Sequence, residues 1–162
     1  MTGERANIEP AVIQAAQPLW FLGTLVRVLL DGTMTGGRFA VIEVTLPKGA
    51  APPMHSHPED ETFYVLDGEV TVWVDDRARP CRAGAIAFAP GETPHGWRVE
   101  SDTARMLILS TPAGIEDYFR ALAEPAQWPW LQPPADGPRV APERIAEVER
   151  SFGVIRHGPL PS

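Results

Sequence analysis

Three of the chain's four histidines belong to one pattern with a glutamate. His55 and His57 lie two residues apart, Glu61 follows them, and His95 comes after a second turn rich in glycine and proline. Because side chains two apart on a strand point to the same face, both imidazoles of the first pair can reach one ion. Three neutral imidazoles and one carboxylate would leave one or two positions open on a divalent ion, which is typical of a catalytic metal site. The pattern therefore predicts one transition metal held by His55, His57, Glu61 and His95.

The donor set does not select the metal, since iron, manganese, nickel, cobalt and zinc all accept these ligands. Glu61 is the candidate for two roles, metal ligand and catalytic base. Glu59 also alternates with the histidines, but Pro58 interrupts the strand, so we expect Glu59 to face solvent. His157 lies in a tail containing proline and glycine and is expected to be solvated.

Composition narrows the class of protein. At 162 residues the chain fits one domain around a single small-molecule cavity. With 21 acidic against 14 basic residues and no basic cluster, it would repel a phosphate backbone, which excludes nucleic acid as a partner. Residues 1–18 lack the pattern of a signal peptide and no apolar run could span a bilayer, so we expect a cytoplasmic protein without a membrane partner. The lone Cys81 is expected to be a packed side chain, with a catalytic thiol as the alternative.

Short apolar or alternating runs separated by turn signals predict an all-β antiparallel sandwich or barrel between residues 19 and 111. Asp67 and Gly68 predict a hairpin with a type I′ turn. The predicted strands are Leu19–Leu30, Arg38–Pro47, Glu61–Leu66, Glu69–Val74, Ala85–Phe88, His95–Glu100 and Ala104–Ser110.

The pattern changes after Pro112. Apolar residues from Ile115 recur at helical spacing, and Pro142 opens a second helix that should end at Gly153. We therefore divide the chain into an N-terminal arm (1–18), a barrel with its following helix (19–123), and an extension rich in proline and tryptophan with a short helix (124–162). Either the extension packs on the outside of the barrel, or its tryptophan-containing segment caps the cavity mouth or a dimer interface.

Residues 49–68 resemble the first motif of the cupin superfamily in every defining position. Gly84, Pro90 and His95 resemble the second motif, although Glu92 stands where the family has glycine and Val99 where it has asparagine. The resemblance implies a jelly-roll barrel (double-stranded β-helix) with a C-terminal helical appendage, and a metal on the four ligands named above. It also implies a homodimer, for which the exposed edges of a small barrel give a physical reason.

A narrower resemblance concerns small bacterial cupins similar to quercetin 2,3-dioxygenase. It is carried by residues 20–26, by residues 61–66, and by residues 111–114 ahead of the Tyr118-Phe119 helix. In those enzymes the flavonol hydroxyl gives its proton to the metal-bound glutamate, and the heterocycle opens with loss of carbon monoxide. The resemblance thus implies a dioxygenase acting on a flavonol-like or other enolisable aromatic or polyketide-like substrate.

By alternation, apolar side chains share a face with Glu61 and with His95, as a flat aromatic substrate would require. They are equally consistent with an ordinary barrel core. The candidate pocket residues are Phe63, Val65 and Trp97, followed by Trp20 and Phe39.

Two other functions remain open. The same ion could act as a Lewis acid without dioxygen, in an isomerase, cyclase or lyase. Alternatively, the protein could be a non-catalytic, metal-containing binder of small molecules. This fold hosts all of these functions, so the fold alone does not choose among them.

Overall fold

Short strands alternate with turns along the chain and assemble into two antiparallel sheets. The computed structural model describes residues 8–131 and 140–161. Within these ranges the strands are β1 (Leu19–Phe21), β2 (Thr24–Leu30), β3 (Ala40–Pro47), β4 (Met54–Ser56), β5 (Asp60–Asp67), β6 (Glu69–Val74), β7 (Arg77–Arg82), β8 (Ile86–Ala89), β9 (His95–Val99), β10 (Thr103–Thr111), β11 (Glu124–Pro125) and β12 (Ile155–Gly158). The helices are α1 (Gly32–Thr35), α2 (Ile115–Leu122) and α3 (Pro142–Ser151).

The core lies between the two sheets. The larger sheet has the order β11-β1-β2-β3-β10-β5-β8, and the smaller has the order β12-β4-β9-β6-β7. Strand β3 shows how alternation builds this core, because every second residue from Ala40 to Leu46 is buried. Side chains from both sheets form one apolar cluster that includes Val26, Ile42, Phe63, Val72 and Met106. The predicted all-β jelly roll with a C-terminal helical appendage is confirmed.

The turn at Asp67 and Gly68 is a crossing between sheets, and the predicted hairpin is wrong. Strand β5 pairs with β8 and β10, whereas β6 pairs with β7 and β9. Gly68 has a φ of 82°, as a turn glycine should, and a Cβ there would overlap the carbonyl oxygen of Thr103. The turn residues revealed the backbone conformation but not the partners of the strands, which are set by long-range packing.

Other strands also differ from the prediction, since β4, β7, β11 and β12 are not among the predicted runs. The run Leu19–Leu30 divides at Leu22 and Gly23 into a hairpin of β1 and β2. Strand β7 was not predicted because it is an exposed edge strand with little apolar alternation. Its one buried residue is Cys81, and burial raises the pKa of that thiol.

The C-terminal part returns to the barrel. Helices α2 and α3 form where the sequence predicted them, and the residue after α3's C-cap is Gly153, with a φ of 69°. Strand β12 then pairs with β4, the strand that carries His55. The first part of the predicted arm and the proline-rich stretch 132–139 lie outside the described residues, and the three-part division of the chain stays a prediction. None of the helices in the described ranges is long and apolar enough to cross a membrane.

Candidate metal centre

Residues from both sheets meet at one end of the barrel. Strand β4 carries His55, with His57 just after it, and β9 begins at His95. His55 and His95 are direct partners across the β4–β9 pair, so their imidazoles lie side by side. Glu61 projects from β5 in the opposite sheet. One ligand atom from each of these four residues lies within 4.8 Å of the others.

Hydrogen bonds to backbone carbonyls orient two of the imidazoles. Nδ1 of His55 lies 2.8 Å from the carbonyl oxygen of Pro53, and Nδ1 of His95 lies 2.8 Å from that of Thr93. A carbonyl can only accept, so each Nδ1 donates and each Nε2 keeps a lone pair for an ion. Such outer hydrogen bonds fix the tautomer that metal binding needs.

Glu59 orients the third imidazole, and the expectation that it faces solvent is wrong. Its Oε2 accepts a hydrogen bond from Nδ1 of His57 at 3.1 Å, and its side chain is only 14% exposed. The turn after Pro58 folds the glutamate back over the ring, and its Oε1 packs close to Gly114 just before α2. Strand alternation could not show this contact because it depends on the turn.

Removing the Glu59 carboxylate is expected to weaken metal binding. Glu59→Ala leaves His57 free to rotate and to change tautomer, so we expect a loss in metal affinity of roughly 10–100-fold. Glu59→Gln is the matched control, because its amide oxygen can still accept from Nδ1. Competition with a chelating dye measures both affinities. Parent-like affinity in Glu59→Ala would show that the contact is dispensable.

The ionisation of the cluster's side chains favours the binding of a positive ion. Burial raises the pKa of a carboxyl, but the ring nitrogens of His57 and His95 beside Glu61 hold the pKa of that carboxyl far below its usual range. Burial opposes the charge of His57, yet hydrogen bonds with Glu59 and Glu61 outweigh it and raise the pKa of His57 to about 9. Burial, then the neighbouring His95, lower the pKa of His55 to about 4. At neutral pH Glu61 is therefore ionised, and His57 holds a proton that a metal would displace.

The contacts between Glu61 and the imidazoles also favour a positive ion at this site. Oε2 of Glu61 lies 2.9 Å from Nε2 of His95 and 3.3 Å from Nε2 of His57, while the three groups are at most 5% exposed. A buried carboxylate needs a positive charge beside it, which protonated His57 supplies without an ion and which a bound divalent ion would supply in its place. The residues present thus fit a divalent transition metal, and the donor set leaves the identity of the ion open.

The four-residue cluster opens onto a cavity of about 720 Å³, within the usual range for small-molecule sites of roughly 300–1,000 Å³. His55, His57 and Glu61 contribute to its lining. Most of the remaining lining is apolar, and its aromatic members are Trp20, Phe21, Trp97, Tyr118 and Phe119.

The structure divides the predicted pocket residues into two groups. Trp20 and Trp97 line the cavity. Phe63 and Val65 do not line it; both belong to the buried apolar core, and the Phe63 ring lies 6.0 Å from that of His95 between ring centroids. Phe39 also lies away from the cavity lining, directly before β3. Alternation placed Phe63 and Trp97 on the inward side of their strands, but it does not show which inward-facing residues reach the cavity.

Several lining residues were not predicted as pocket residues. Tyr118 and Phe119 come from α2, and Glu149, Val154 and Arg156 come from the end of the chain. The only sequence signal for the first pair was helical spacing, and none placed the C-terminal residues at the cavity. Trp128 and Trp130 do not contribute to the lining and are 51% and 53% exposed, so a cap formed by the tryptophan-containing segment stays a prediction.

Comparisons with known proteins agree with this architecture. Residues 42–112 match the family described as Cupin domain. Quercetin 2,3-dioxygenase of Bacillus subtilis is 32% identical over 100 residues, which are 61% of this chain and 30% of that protein. The chain therefore spans less than a third of the length of this curated relative.

Solved structures share the fold at low sequence identity. An RmlC-like cupin from Shewanella frigidimarina has a TM-score of 0.57 and 20% identity, covering 66% of this chain and 93% of that one. A polyketide cyclase from Streptomyces resistomycificus has a TM-score of 0.50 and 23% identity, covering 68% and 78%. At these identities the likeness concerns the fold alone.

Proposed function

We propose that this chain, whose residues 42–112 match the Cupin domain family, is a metal-dependent dioxygenase acting on a flavonol-like or other enolisable aromatic or polyketide-like substrate. The observation that carries the proposal is the cluster of three histidines and Glu61, of which His55, His57 and Glu61 line a mostly apolar cavity with aromatic walls. The 32% identity to a quercetin 2,3-dioxygenase supports this choice of substrate class.

His55, His57, Glu61 and His95 would hold the ion, which when bound supplies positive charge that favours an anionic, chelating oxygen donor such as an enolate. With three neutral imidazoles and one carboxylate, a divalent ion would keep a net single positive charge, because Glu61 is the one anionic ligand of the four. Glu61 is also the carboxylate at the cavity wall next to these imidazoles, so it is placed to take the proton of the substrate hydroxyl.

The remaining walls hold and shield the substrate. Trp20, Phe21 and Trp97 present aromatic side chains to the cavity, which suit a flat ring system and exclude water from the reacting end. Phe21 is itself fixed by edge-to-face contact with Phe119, at a ring-centroid distance of 4.8 Å.

A combined assay tests the proposal. The metal content of protein purified without added metal identifies the ion, and an oxygen electrode with flavonols and related enols detects turnover. We expect one dioxygen consumed and one carbon monoxide released for each ring opened. Conversion without oxygen uptake would instead support an isomerase, cyclase or lyase. Tight binding with no product by mass spectrometry would support a non-catalytic binding protein.

We also propose that the protein works in the cytoplasm as a homodimer. Ile86 and Phe88 on the edge strand β8 are 69% and 55% exposed, and Tyr64 beside them on β5 is 40% exposed. A second copy covering this apolar edge would remove it from water. Sedimentation velocity tests the proposal, and a monomer at micromolar concentration would contradict it.

A further inference from the structure

The end of the chain places a cation next to a metal-ligand strand. Arg156 on β12 is the direct partner of His55 on β4. Residues directly opposite each other in an antiparallel pair project to the same side of the sheet, and both of these line the cavity. The guanidinium therefore belongs to the wall that also carries the metal ligand.

Glu149 of α3 holds this guanidinium in one orientation. Nε of Arg156 lies 2.9 Å and 3.0 Å from the two carboxylate oxygens, and Nη2 lies 2.7 Å from Oε1. The Glu149 side chain is 11% exposed, and its carboxylate faces the Nε and Nη2 side of the planar guanidinium. Among the described residues no hydrogen bond involves Nη1, and the Arg156 side chain is 51% exposed. An arginine has five N–H donors, so several remain for a ligand.

Tyr118 adds a neutral donor to the same wall. Its ring packs against Phe21 and Phe152 at centroid distances of 5.8 Å and 6.0 Å. Burial first, and the charge of Glu149 second, raise the pKa of Tyr118 to about 12, with Arg156 acting in the opposite direction. The hydroxyl thus keeps its proton at neutral pH. It lies in the field of the Glu149–Arg156 pair, within an otherwise mostly apolar cavity.

We propose that Arg156 and Tyr118 form a second anchor, which binds an anionic oxygen of the substrate separate from the oxygens held at the four-residue cluster. The anchor deepens the proposed function and rests on it for the choice of cavity. It narrows the substrate to flat aromatic molecules that also carry a carboxylate or an acidic phenol. A charged hydrogen bond in an apolar cavity is strong and directional, so the anchor would set both affinity and orientation.

A pair of fluorescent naphthalene dyes tests the anchor independently of turnover. Anilinonaphthalene sulfonate carries an anionic oxygen group, and phenylnaphthylamine is its neutral counterpart. A sulfonate is a weak ligand for divalent ions, so the comparison reports on the arginine. We expect the intact, metal-loaded protein to bind the sulfonate more tightly than the neutral dye.

Arg156→Met keeps most of the apolar stem and removes the charge. We expect it to weaken binding of the sulfonate by about 10- to 100-fold, while affinity for the neutral dye changes by less than about twofold. Arg156→Lys should lose part of the preference for the sulfonate over the neutral dye, because an ammonium lacks the planar set of N–H donors of a guanidinium. Arg144→Met is the matched control, since Arg144 pairs with Glu147 on the same helix as Glu149 and lies away from the cavity lining. It should bind both dyes as the parent does.

Arg156→Met leaves Glu149 without its cation and could unfold the C-terminal part. The double variant Glu149→Gln/Arg156→Met removes both charges, so no unpaired carboxylate is left and dye binding can be measured on folded protein. Equal losses for both dyes in either folded variant, or no loss for the sulfonate, would overturn the anchor and leave Arg156 with a purely structural role.

Flavonols then distinguish the two kinds of acidic group. Unsubstituted flavonol and analogues with a carboxylate or an acidic hydroxyl on the outer phenyl ring are compared without oxygen. The analogue whose affinity falls most in Arg156→Met identifies the group that the anchor prefers. If no flavonol is turned over while the dye preference depends on Arg156, the proposed function fails and the anchor stands. If flavonols are turned over and the dye preference does not depend on Arg156, only the anchor fails.

Discussion

Glu61→Gln is expected to lower kcat/KM of the metal-loaded protein by about 10²–10⁴-fold, the usual contribution of a general base. Glutamine has nearly the same shape and keeps one oxygen that can reach an ion, but it cannot accept the substrate proton. Metal should therefore be retained in part while turnover collapses. Oxygen uptake expressed per bound metal, with the metal measured on the same sample, separates these two effects.

The outcome distinguishes the two roles of Glu61. Full activity per bound metal, with lower metal content, would show that Glu61 acts only as a ligand. Unchanged activity and metal content would remove it from both roles. Glu100→Gln is the matched control, because Glu100 pairs with Arg98 on the smaller sheet and does not contribute to the cluster. It should leave both measurements unchanged.

His95→Ala is expected to abolish stoichiometric metal binding. The substitution removes one of four ligands and leaves the 4% exposed Glu61 with a single imidazole partner among the described residues. When free metal is present at about 100 times the Kd of the parent protein, its removal by a chelator should lower the free energy of unfolding by roughly 3 kcal/mol. For a chain of this size that corresponds to a fall in Tm of roughly 6–12 °C. His95→Ala should show no such fall, because it has no metal to lose.

Metal analysis and thermal melts with and without a chelator measure both effects. His157→Ala is the control, since it removes an exposed imidazole that contacts Ser56 of β4 without belonging to the cluster. That variant should keep its metal and its response to chelation. If His95→Ala retains one metal per chain, the assignment of the centre is wrong.

Local sequence patterns were sufficient to predict which residues of a strand face the interior. The buried alternation in β3 follows from a period of two residues, which any strand obeys whatever its partners. The same rule brought His55 and His57 to one side and matched Trp97 to His95. The helix from Pro142 was equally local, because proline at the start and Gly153 after the end both act through backbone conformation.

Local patterns failed where the partner came from elsewhere in the chain. Gly68 has the positive φ of a turn, yet the strands on either side of it enter different sheets. Glu92, where the family has glycine, adopts a φ of 63° in the turn before β9, so the conformation survives the change of residue type. Phe63 faces inward as alternation requires, but it belongs to the buried core and does not line the cavity, which depends on how the two sheets pack together.

The type and spacing of His55, His57, Glu61 and His95 were enough to predict one open metal centre, because strand periodicity and ligand chemistry are local properties. The orientation of that centre and the shape of its cavity were decided by tertiary structure. Glu59 reaches His57 through a turn, and the strand that carries Arg156 pairs with the strand that carries His55. Ser56 and His157 in those strands hydrogen-bond across 101 residues of chain. Such contacts depend on the packing of the whole barrel, and no periodicity in the intervening sequence records them.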